Sequence, residues 1–338
     1  MVLSGCDARD GLATIGKQDR PSEMSYRVTG TIAVGEGPAG VAVDPGTQTV
    51  YVANRDDNTV SVIDAATRTV VASIPVDEGP FAVAVDPGTH TVYVTHPFGH
   101  RVSVIDGRTR VVITTVPVII ADVKFPGGAL LGDVAVDPGT HMVYVTDSTY
   151  GRLVVVDGIS HRIVDTLDVG GVQTGVAVDP ETHTVYVSRE RVAGNAPGSG
   201  AHMLSVIDGP SRTVITDIPG GLGWQAVAVD SPTRSVYVAN LWERTVSVID
   251  TATRAVTATI PVDRYHGENI AVDPGTHAVY VRIDNAVAVI DGSTRTVAAT
   301  LPLGSDKYDV GSVAVDPDSH IAYVTSARTV SIIESVMG

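Results

Sequence analysis

Apolar and polar residues alternate in short runs along most of the chain, and the unit Val-Ala-Val-Asp recurs among them. It begins at residues 41, 83, 134, 176, 227 and 313, and one close variant, Ile-Ala-Val-Asp, begins at Ile270. A Tyr-Val pair stands ten residues after each start, followed by a run of the Val-Ser-Val-Ile-Asp type and a further apolar run. Alternation with a period of two predicts half-buried β-strands. The pattern therefore predicts seven units of four short strands, each unit spanning about 42 residues.

Four-stranded units with this period are typical of β-propeller blades. The last unit ends at its third strand, Thr329–Glu334, whereas Arg27–Val34 has the pattern of a fourth strand and precedes the first unit. We expect this N-terminal strand to complete the last blade, which removes free sheet edges. The predicted fold class is all-β, a seven-bladed propeller of four-stranded antiparallel blades. It spans residues 26–338, with residues 1–25 as a tail.

Length variation is confined to two of the four connections in each unit. The repeat starts are separated by 42, 51, 42, 51, 43 and 43 residues, and the first-to-second and third-to-fourth strand segments keep a constant length. The two long spacings arise between Pro117 and Val134 and between Val187 and Leu204. In an up-down-up-down blade, the second-to-third and fourth-to-first connections emerge on one face, here called the loop face. Variable loops on a constant scaffold predict a binding site on that face.

The opposite face, here called the turn face, carries the constant connections. Asp-Pro-Gly-Thr segments such as 44–47 predict tight turns there, in which proline presets φ and glycine adopts positive φ. We expect the histidines of this face to be solvated turn residues; they are His90, His141, His161, His183, His277 and His320.

The loop face collects the residues that we predict to bind a ligand. All Phe and Trp residues fall on its connections, and large aromatic side chains there are typical of pockets and partner surfaces. The predicted ligand contacts are Trp224, Trp242, Tyr265, Tyr150, Phe125, Arg189, Arg282, His202, Gln225 and Asn269. Two alternatives stay open: the aromatic residues cap the sheet ends against water, and the arginines pair with neighbouring carboxylates.

Three residues are candidates for acid–base chemistry at the mouth of the central channel. His266 and Glu268 directly precede a first strand, and Asp133 holds a comparable position in its own unit. A histidine beside carboxylates at a channel mouth suits general acid–base catalysis. The alternative is that each of these side chains hydrogen-bonds to nearby loop backbone.

Composition narrows the classes of partner. Lys plus Arg total 23 and Asp plus Glu total 38, so the net charge is −15, which disfavours nucleic acids and anionic lipid surfaces as partners. The single cysteine, Cys6, excludes an internal disulfide framework. No apolar run approaches the roughly 20 residues of a transmembrane helix. The sequence shows no calcium-loop, phosphate-loop or dinucleotide motif, so no metal site is predicted and the cofactor is unknown.

The segments Tyr51–Asn54 and Tyr237–Asn240 both read Tyr-Val-Ala-Asn, and Tyr144–Asp147 reads Tyr-Val-Thr-Asp. They resemble the repeat of the YVTN β-propeller family, and the resemblance covers about residues 27–334. It implies a seven-bladed propeller. Relatives of this kind include surface-layer proteins, envelope binding proteins and lactonase-like or lyase-like enzymes, so the resemblance transfers no catalytic residue. The terminal Asn is replaced by His96, Arg189, Ile283 and Ser326.

The segment Leu3-Ser4-Gly5-Cys6 resembles a bacterial lipobox, in which Cys6 would be lipidated and the following residues would form a tether. This predicts a cell-envelope or extracellular protein, or a cytoplasmic one if the match is chance. We therefore expect a monomeric envelope propeller that binds a small molecule or a protein partner on the loop face. The alternative is a propeller lyase, cyclase or hydrolase that uses the same channel mouth.

Overall fold

The computed structural model describes residues 24–118, 131–190, 202–221, 223–262, 267–304 and 311–337. Within these residues, seven four-stranded antiparallel sheets account for nearly all of the regular structure. The all-β, seven-bladed prediction is therefore confirmed.

The first strand of the chain, β1 (Met24–Ala33), belongs to blade 7. The strands of blades 1 to 3 then follow in chain order. Blade 1 comprises β2 (Pro38–Asp44), β3 (Thr49–Asn54), β4 (Thr59–Asp64) and β5 (Thr69–Pro75). Blade 2 comprises β6 (Val83–Asp86), β7 (Thr91–His96), β8 (Arg101–Asp106) and β9 (Val111–Pro117). Blade 3 comprises β10 (Leu131–Asp137), β11 (Met142–Asp147), β12 (Arg152–Asp157) and β13 (Arg162–Asp168).

The remaining blades repeat this arrangement. Blade 4 comprises β14 (Val172–Asp179), β15 (Thr184–Glu190), β16 (His202–Asp208) and β17 (Thr213–Pro219). Blade 5 comprises β18 (Trp224–Asp230), β19 (Ser235–Asn240), β20 (Thr245–Asp250) and β21 (Ala255–Pro261). Blade 6 comprises β22 (Gly267–Val272), β23 (Ala278–Ile283), β24 (Ala286–Asp291) and β25 (Thr296–Pro302). Blade 7 is completed by β26 (Val313–Asp316), β27 (Ile321–Ser326) and β28 (Thr329–Met337).

The first strands of neighbouring blades contact one another around the whole ring, which places them at its centre. Closure occurs in blade 7, whose strand order is β1-β28-β27-β26. The register of β1 on β28 runs from Met24 opposite Met337 to Ala33 opposite Thr329. The predicted closing strand is thus confirmed, although it begins at Met24, inside the segment assigned to the tail.

The core lies between blades, where alternate strand residues of two sheets pack face to face. Val and Ile supply most of it, and the Tyr of each Tyr-Val pair is nearly fully buried. Tyr51 and Tyr93 donate hydrogen bonds from Oη to the carbonyls of Gly107 and Gly158, in the next blade. Burial raises the pKa of Tyr51 to about 12, so the hydroxyl stays a donor. The repeated tyrosine therefore joins neighbouring blades.

Five histidines of the turn face keep part of their surface exposed, but each also pairs with a buried carboxylate of the preceding blade, which the sequence analysis did not predict. His90 Nδ1 lies 2.8 Å from Oδ2 of Asp44 in the preceding blade, and Asp44 is fully buried. We call each such contact a His–Asp clasp. The other four clasps are His141–Asp86, His183–Asp137, His277–Asp230 and His320–Asp273.

The turn that carries each clasp also differs from the sequence-based expectation. Positive φ occurs at the histidine, 59° at His90, and not at the glycine of the Asp-Pro-Gly-Thr segment. A Cβ atom on Gly46 would lie 3.0 Å from Cε1 of the His90 ring. Glycine is therefore needed there because the next blade's imidazole packs against it.

Candidate functional site

A cavity of about 670 Å³ opens at the centre of the loop face. Its wall includes the first residue of the Val-Ala-Val-Asp unit in every blade, from Val41 to Val313. All seven blades thus contribute to one concave site at the channel mouth. This is the location that the length variation predicts for a site.

The wall of this mouth cavity is amphipathic. The part formed by blades 1 to 3 includes Phe81, Phe98 and Leu131, together with small apolar residues. The polar residues of the wall are Arg55 of blade 1 and, from blades 3 to 7, Asp133, Ser148, Gln173, Thr174, Gln225, Asn269 and Ser312. Apolar walls with a few converging polar groups are the usual form of a small-molecule site.

Asp133 and Asn269 hold equivalent positions, directly before the Val-Ala-Val-Asp unit of blades 3 and 6. Asp133 Oδ2 accepts a hydrogen bond from the backbone N–H of Val176 at 3.1 Å, and Oδ1 accepts from Val134 N–H at 2.9 Å. Asn269 Oδ1 accepts from Val313 N–H at 3.2 Å. Each side chain therefore joins its own first strand to that of the next blade. This agrees with the backbone-bonding alternative.

Hydroxyl side chains two residues after the repeat tyrosine make similar inter-blade bonds, which the sequence analysis missed. Thr95 Oγ1 donates to the carbonyl of Gly132 at 3.1 Å, and Thr325 Oγ1 donates to that of Ala39 at 2.8 Å. The sequence signal was the recurrence of Thr or Ser at this place in four repeats, at 95, 146, 188 and 325. These bonds hold the mouth rigid, because they tie the first strands of neighbouring blades together.

Burial raises the pKa of Asp133 to about 6, against the lowering effect of its two backbone N–H donors. The side chain keeps part of its surface open to the cavity, but the ring of strands excludes most of the solvent around it. Its carboxyl group thus titrates close to neutrality.

A pH-dependent loss of stability follows from this raised pKa. The folded state binds a proton at Asp133 more tightly than the unfolded chain, whose Asp titrates near about 3.9. Stability from this group is therefore present at low pH and is lost as the pH rises through about 6. Between about pH 4 and 7, the wild type should lose about 1–3 kcal/mol of unfolding free energy relative to Asp133→Asn. Urea denaturation at several pH values measures this difference, and parallel curves for the two proteins would contradict it.

The side chain at the last position of the YVTN-like motif makes a hydrogen bond to the neighbouring strand and does not line the mouth. Asn54 Nδ2 donates to Ser61 Oγ at 2.9 Å. His96, which replaces the Asn in blade 2, places Nε2 2.8 Å from Ser103 Oγ, and burial lowers the pKa of His96. His96 therefore continues a structural contact of the repeat.

Arg189 replaces the same Asn in blade 4. Its Nε donates to Ser205 Oγ at 2.8 Å, and Nη2 donates to Asp217 Oδ2 at 2.7 Å within the same blade. The alternative that loop-face arginines pair with carboxylates therefore describes Arg189, although its partner is Asp217 and not a loop residue.

A shallower cavity of about 390 Å³ lies between blades 3 and 4, and it shares Ser148 and Val172 with the mouth. Tyr150 and Arg189 line it. The Tyr150 ring centroid is 5.9 Å from Arg152 Cζ, which is within the range of a cation–π contact. These predicted residues thus lie beside the mouth and not inside it.

Three other predicted contacts do not line the mouth cavity. Arg282 is 2% exposed and lies behind Gly311, where its Nη1 donates to the backbone carbonyls of Ile283 and Ala286. His202 is 5% exposed, and burial lowers its pKa. Trp242 is 61% exposed on the β19–β20 connection.

The remaining predicted residues lie wholly or partly outside the described residues. His266, Tyr265, Phe125 and Cys6 lie outside the described residues, as do the side chains of Trp224 and Glu268. Trp224 is the first residue of β18 and Glu268 is the second residue of β22, so the backbone of both lies on the loop face. Their roles stay predictions.

Within the described residues, no group of three or more His, Cys, Asp or Glu side chains has the arrangement of a metal site. Among the same residues, we find no helix with the length and apolar character required to span a bilayer.

Comparisons with known proteins support the fold. No protein-family model and no curated protein matches the sequence. A solved structure of hydrazine synthase from Kuenenia stuttgartiensis superposes on 96% of this chain and 100% of that chain, with a TM-score of 0.75 and 18% identity. At this identity the likeness shows the fold alone. The resemblance to the YVTN family stays a prediction, whereas the propeller is confirmed.

Proposed function

We propose that this protein is a binding propeller whose ligand, a small molecule, occupies the mouth cavity. The observation that carries the proposal is a single concave site lined by all seven blades, on the face that holds all of the length variation. The turn face, by contrast, is occupied by the His–Asp clasps and short constant turns. Scaffold and site are thus separated between the two faces.

The dimensions and chemistry of the cavity support a small molecule as the ligand. Its volume of about 670 Å³ lies within the range typical of small-molecule sites. Phe81 and Leu131 offer apolar surface on one side, and Gln225 and Thr174 offer hydrogen-bonding groups on the other. A ligand with one apolar and one polar side fits this wall.

The second candidate function is catalysis at the same mouth. It rests on Asp133, whose pKa of about 6 suits a general base or acid near neutral pH. A propeller lyase, cyclase or hydrolase would then hold its substrate where the binder holds its ligand. Turnover that Asp133→Asn abolishes while binding survives would favour the enzyme.

We further propose a cell-envelope location through lipidation at Cys6. The support is the lipobox-like segment alone. Fractionation of a bacterial host that expresses the wild type or Cys6→Ala tests it: the wild type should be in the membrane fraction and the variant should not. Equal distribution of the two proteins would contradict this location.

Blocking the mouth tests the proposed site. Ser312→Trp places a large side chain in the cavity wall, whereas Ala66→Trp places the same side chain on the exposed turn face. A library of amines, carboxylates, sugars and short peptides is screened by thermal shift against the three proteins. Compounds that stabilise the wild type should still stabilise Ala66→Trp and fail to stabilise Ser312→Trp. Equal stabilisation of all three proteins would place the site elsewhere.

A further inference from the structure

Asp133 and Asn269 are a matched pair: they make the same inter-blade hydrogen bond, but only Asp133 can carry a charge. They occupy the same repeat position, and each accepts the N–H of the first residue of the next blade's first strand, Val176 or Val313. The neutral amide of Asn269 makes this inter-blade bond without a charge. The carboxylate of Asp133 makes it at the cost of desolvation, which destabilises the ionised form. Joining the blades therefore does not account for a carboxyl group at position 133.

The charges of the described cavity wall leave this carboxylate uncompensated. Arg55 is the cationic residue of that wall, and its Nε is paired with Asp56 Oδ1 at 3.0 Å. Within the described residues, Asp133 takes part in no ion pair, and its pKa is set by burial and by backbone N–H groups alone. The chain as a whole carries a net charge of −15, which attracts cations and repels anions.

We propose that the mouth cavity binds a small organic cation, whose ammonium group contacts the Asp133 carboxylate and whose apolar part packs on Phe81 and Leu131. This inference rests on the proposed function, because it names the ligand class of the same site. An ammonium donor would meet the remaining lone pairs of Asp133, whose oxygens already accept Val176 and Val134 N–H groups. The rings of Phe81 and Phe98, both in the wall, attract cations through their π faces.

The wall favours an organic cation over a metal ion. Calcium takes six to eight oxygen ligands, whereas the described residues contain no cluster of three potential metal-ligating side chains. A cavity of about 670 Å³ with aromatic and aliphatic residues on one side accommodates a ligand with its own apolar body.

Cation binding at this place has a pH signature. Strands β6, β7, β11 and β14 pack against β10, and their acidic or histidine side chains are Asp86 on β6, His96 on β7, Asp147 on β11 and Asp179 on β14. His96 is held by Ser103, and Asp147 accepts N–H groups of its own turn. Asp86 and Asp179 lie at the opposite, turn-face ends of their strands, where each accepts an N–H group of its own turn. Affinity for a cation should therefore rise as Asp133 ionises, between about pH 5 and 7.

Three probes of one shape and different charge test the proposal: benzylammonium, benzyl alcohol and benzoate, each titrated by calorimetry into the full chain. Benzylammonium should bind most tightly, by roughly tenfold over benzyl alcohol, and benzoate most weakly. Its affinity should rise from pH 5 to pH 7, while that of benzyl alcohol stays constant. Equal affinity for the three probes, or no binding of benzylammonium, would overturn the inference.

The matched pair also provides the variants. Asp133→Asn should lower the affinity for benzylammonium roughly 10- to 100-fold and abolish its pH dependence, with little effect on benzyl alcohol. Asn269→Asp, which adds a carboxylate at the equivalent position, should raise the affinity. Unchanged affinity in Asp133→Asn would contradict the inference, and the pH series on the wild type decides the matter if that variant fails to fold.

Failure of this inference and failure of the proposed function are distinguishable. If the wild type binds the three probes with equal affinity and Ser312→Trp binds none of them, the mouth remains the ligand site but has no preference for cations. Binding of benzylammonium that Ser312→Trp leaves intact would overturn both, because the cation would then bind elsewhere.

Discussion

Deletion of residues 1–34 is expected to abolish cooperative unfolding of the propeller, whereas deletion of residues 1–23 should leave its thermal transition nearly unchanged. The longer deletion removes β1, which pairs with β28 along its whole length and closes the ring. It exposes the edge of β28 and uncovers Val330 and Ile332, which pack against Ile32. It also removes Tyr26, whose ring meets that of Tyr280 in blade 6 at 6.2 Å. The free energy lost with all of these contacts is comparable to the total unfolding free energy of a domain, about 5–15 kcal/mol.

Calorimetry and circular dichroism melting of the two truncated chains measure this effect. A point control is Ile32→Ala, which removes one buried side chain of β1 and should cost about 2–5 kcal/mol while the transition stays cooperative. A sharp transition for the chain lacking residues 1–34, at the wild-type temperature, would contradict the role of β1 in closure.

Asp86→Ala is expected to destabilise the protein by about 1.5–3 kcal/mol, because it removes the buried carboxylate that accepts the hydrogen bonds of the clasp and of its turn. Asp86 is fully buried, and its Oδ2 lies 2.7 Å from His141 Nδ1. The same carboxylate accepts Gly88 N–H and the Thr89 hydroxyl, so all of these donors lose their acceptor in the variant.

Blade 1 offers a matched control for the clasp. Gln48 holds the repeat position of the clasp histidines but is exposed, so Gln48→Ala should change the unfolding free energy by less than about 0.5 kcal/mol. Urea denaturation of the single variants and of the Asp86→Ala, His141→Ala pair gives the coupling energy of the clasp. Additive effects of the two substitutions would show that the contact contributes nothing specific.

The periodic residues of the chain predict the fold because each blade repeats the same local pattern. Strand alternation, the constant turn lengths and the missing fourth strand at the C-terminus together predict seven blades and their closure. The His–Asp clasps were missed because His141 and Asp86 are 55 residues apart and both lie in turn-like sequence. Pairing between repeats does leave a partial signal: four of the five clasp histidines follow a blade with Gly at the place of Gly88, whereas Arg234 follows a blade with Glu181 there.

The site was predictable to the face of the propeller and, for some residues, to the cavity. Asp133, Gln225 and Asn269 lie near the starts of first strands, which form the channel wall, so their sequence position determines their place. Arg189 lies near the end of a second strand and Trp242 follows one, and second strands end on the same face but farther from the axis. Periodicity specifies the end of a strand and not the direction of a long side chain. The contact of Arg189 with Asp217 therefore emerges only from the three-dimensional arrangement of its blade.

Crystallographic screening with a diverse fragment library tests the claim that the mouth cavity is the ligand site most directly. The account predicts that bound fragments collect at the channel mouth, between Asp133 and Phe81, and that those with an ammonium group place it against the Asp133 carboxylate. Fragments bound on the turn face or along the outer strands, with the mouth unoccupied throughout the screen, would contradict it.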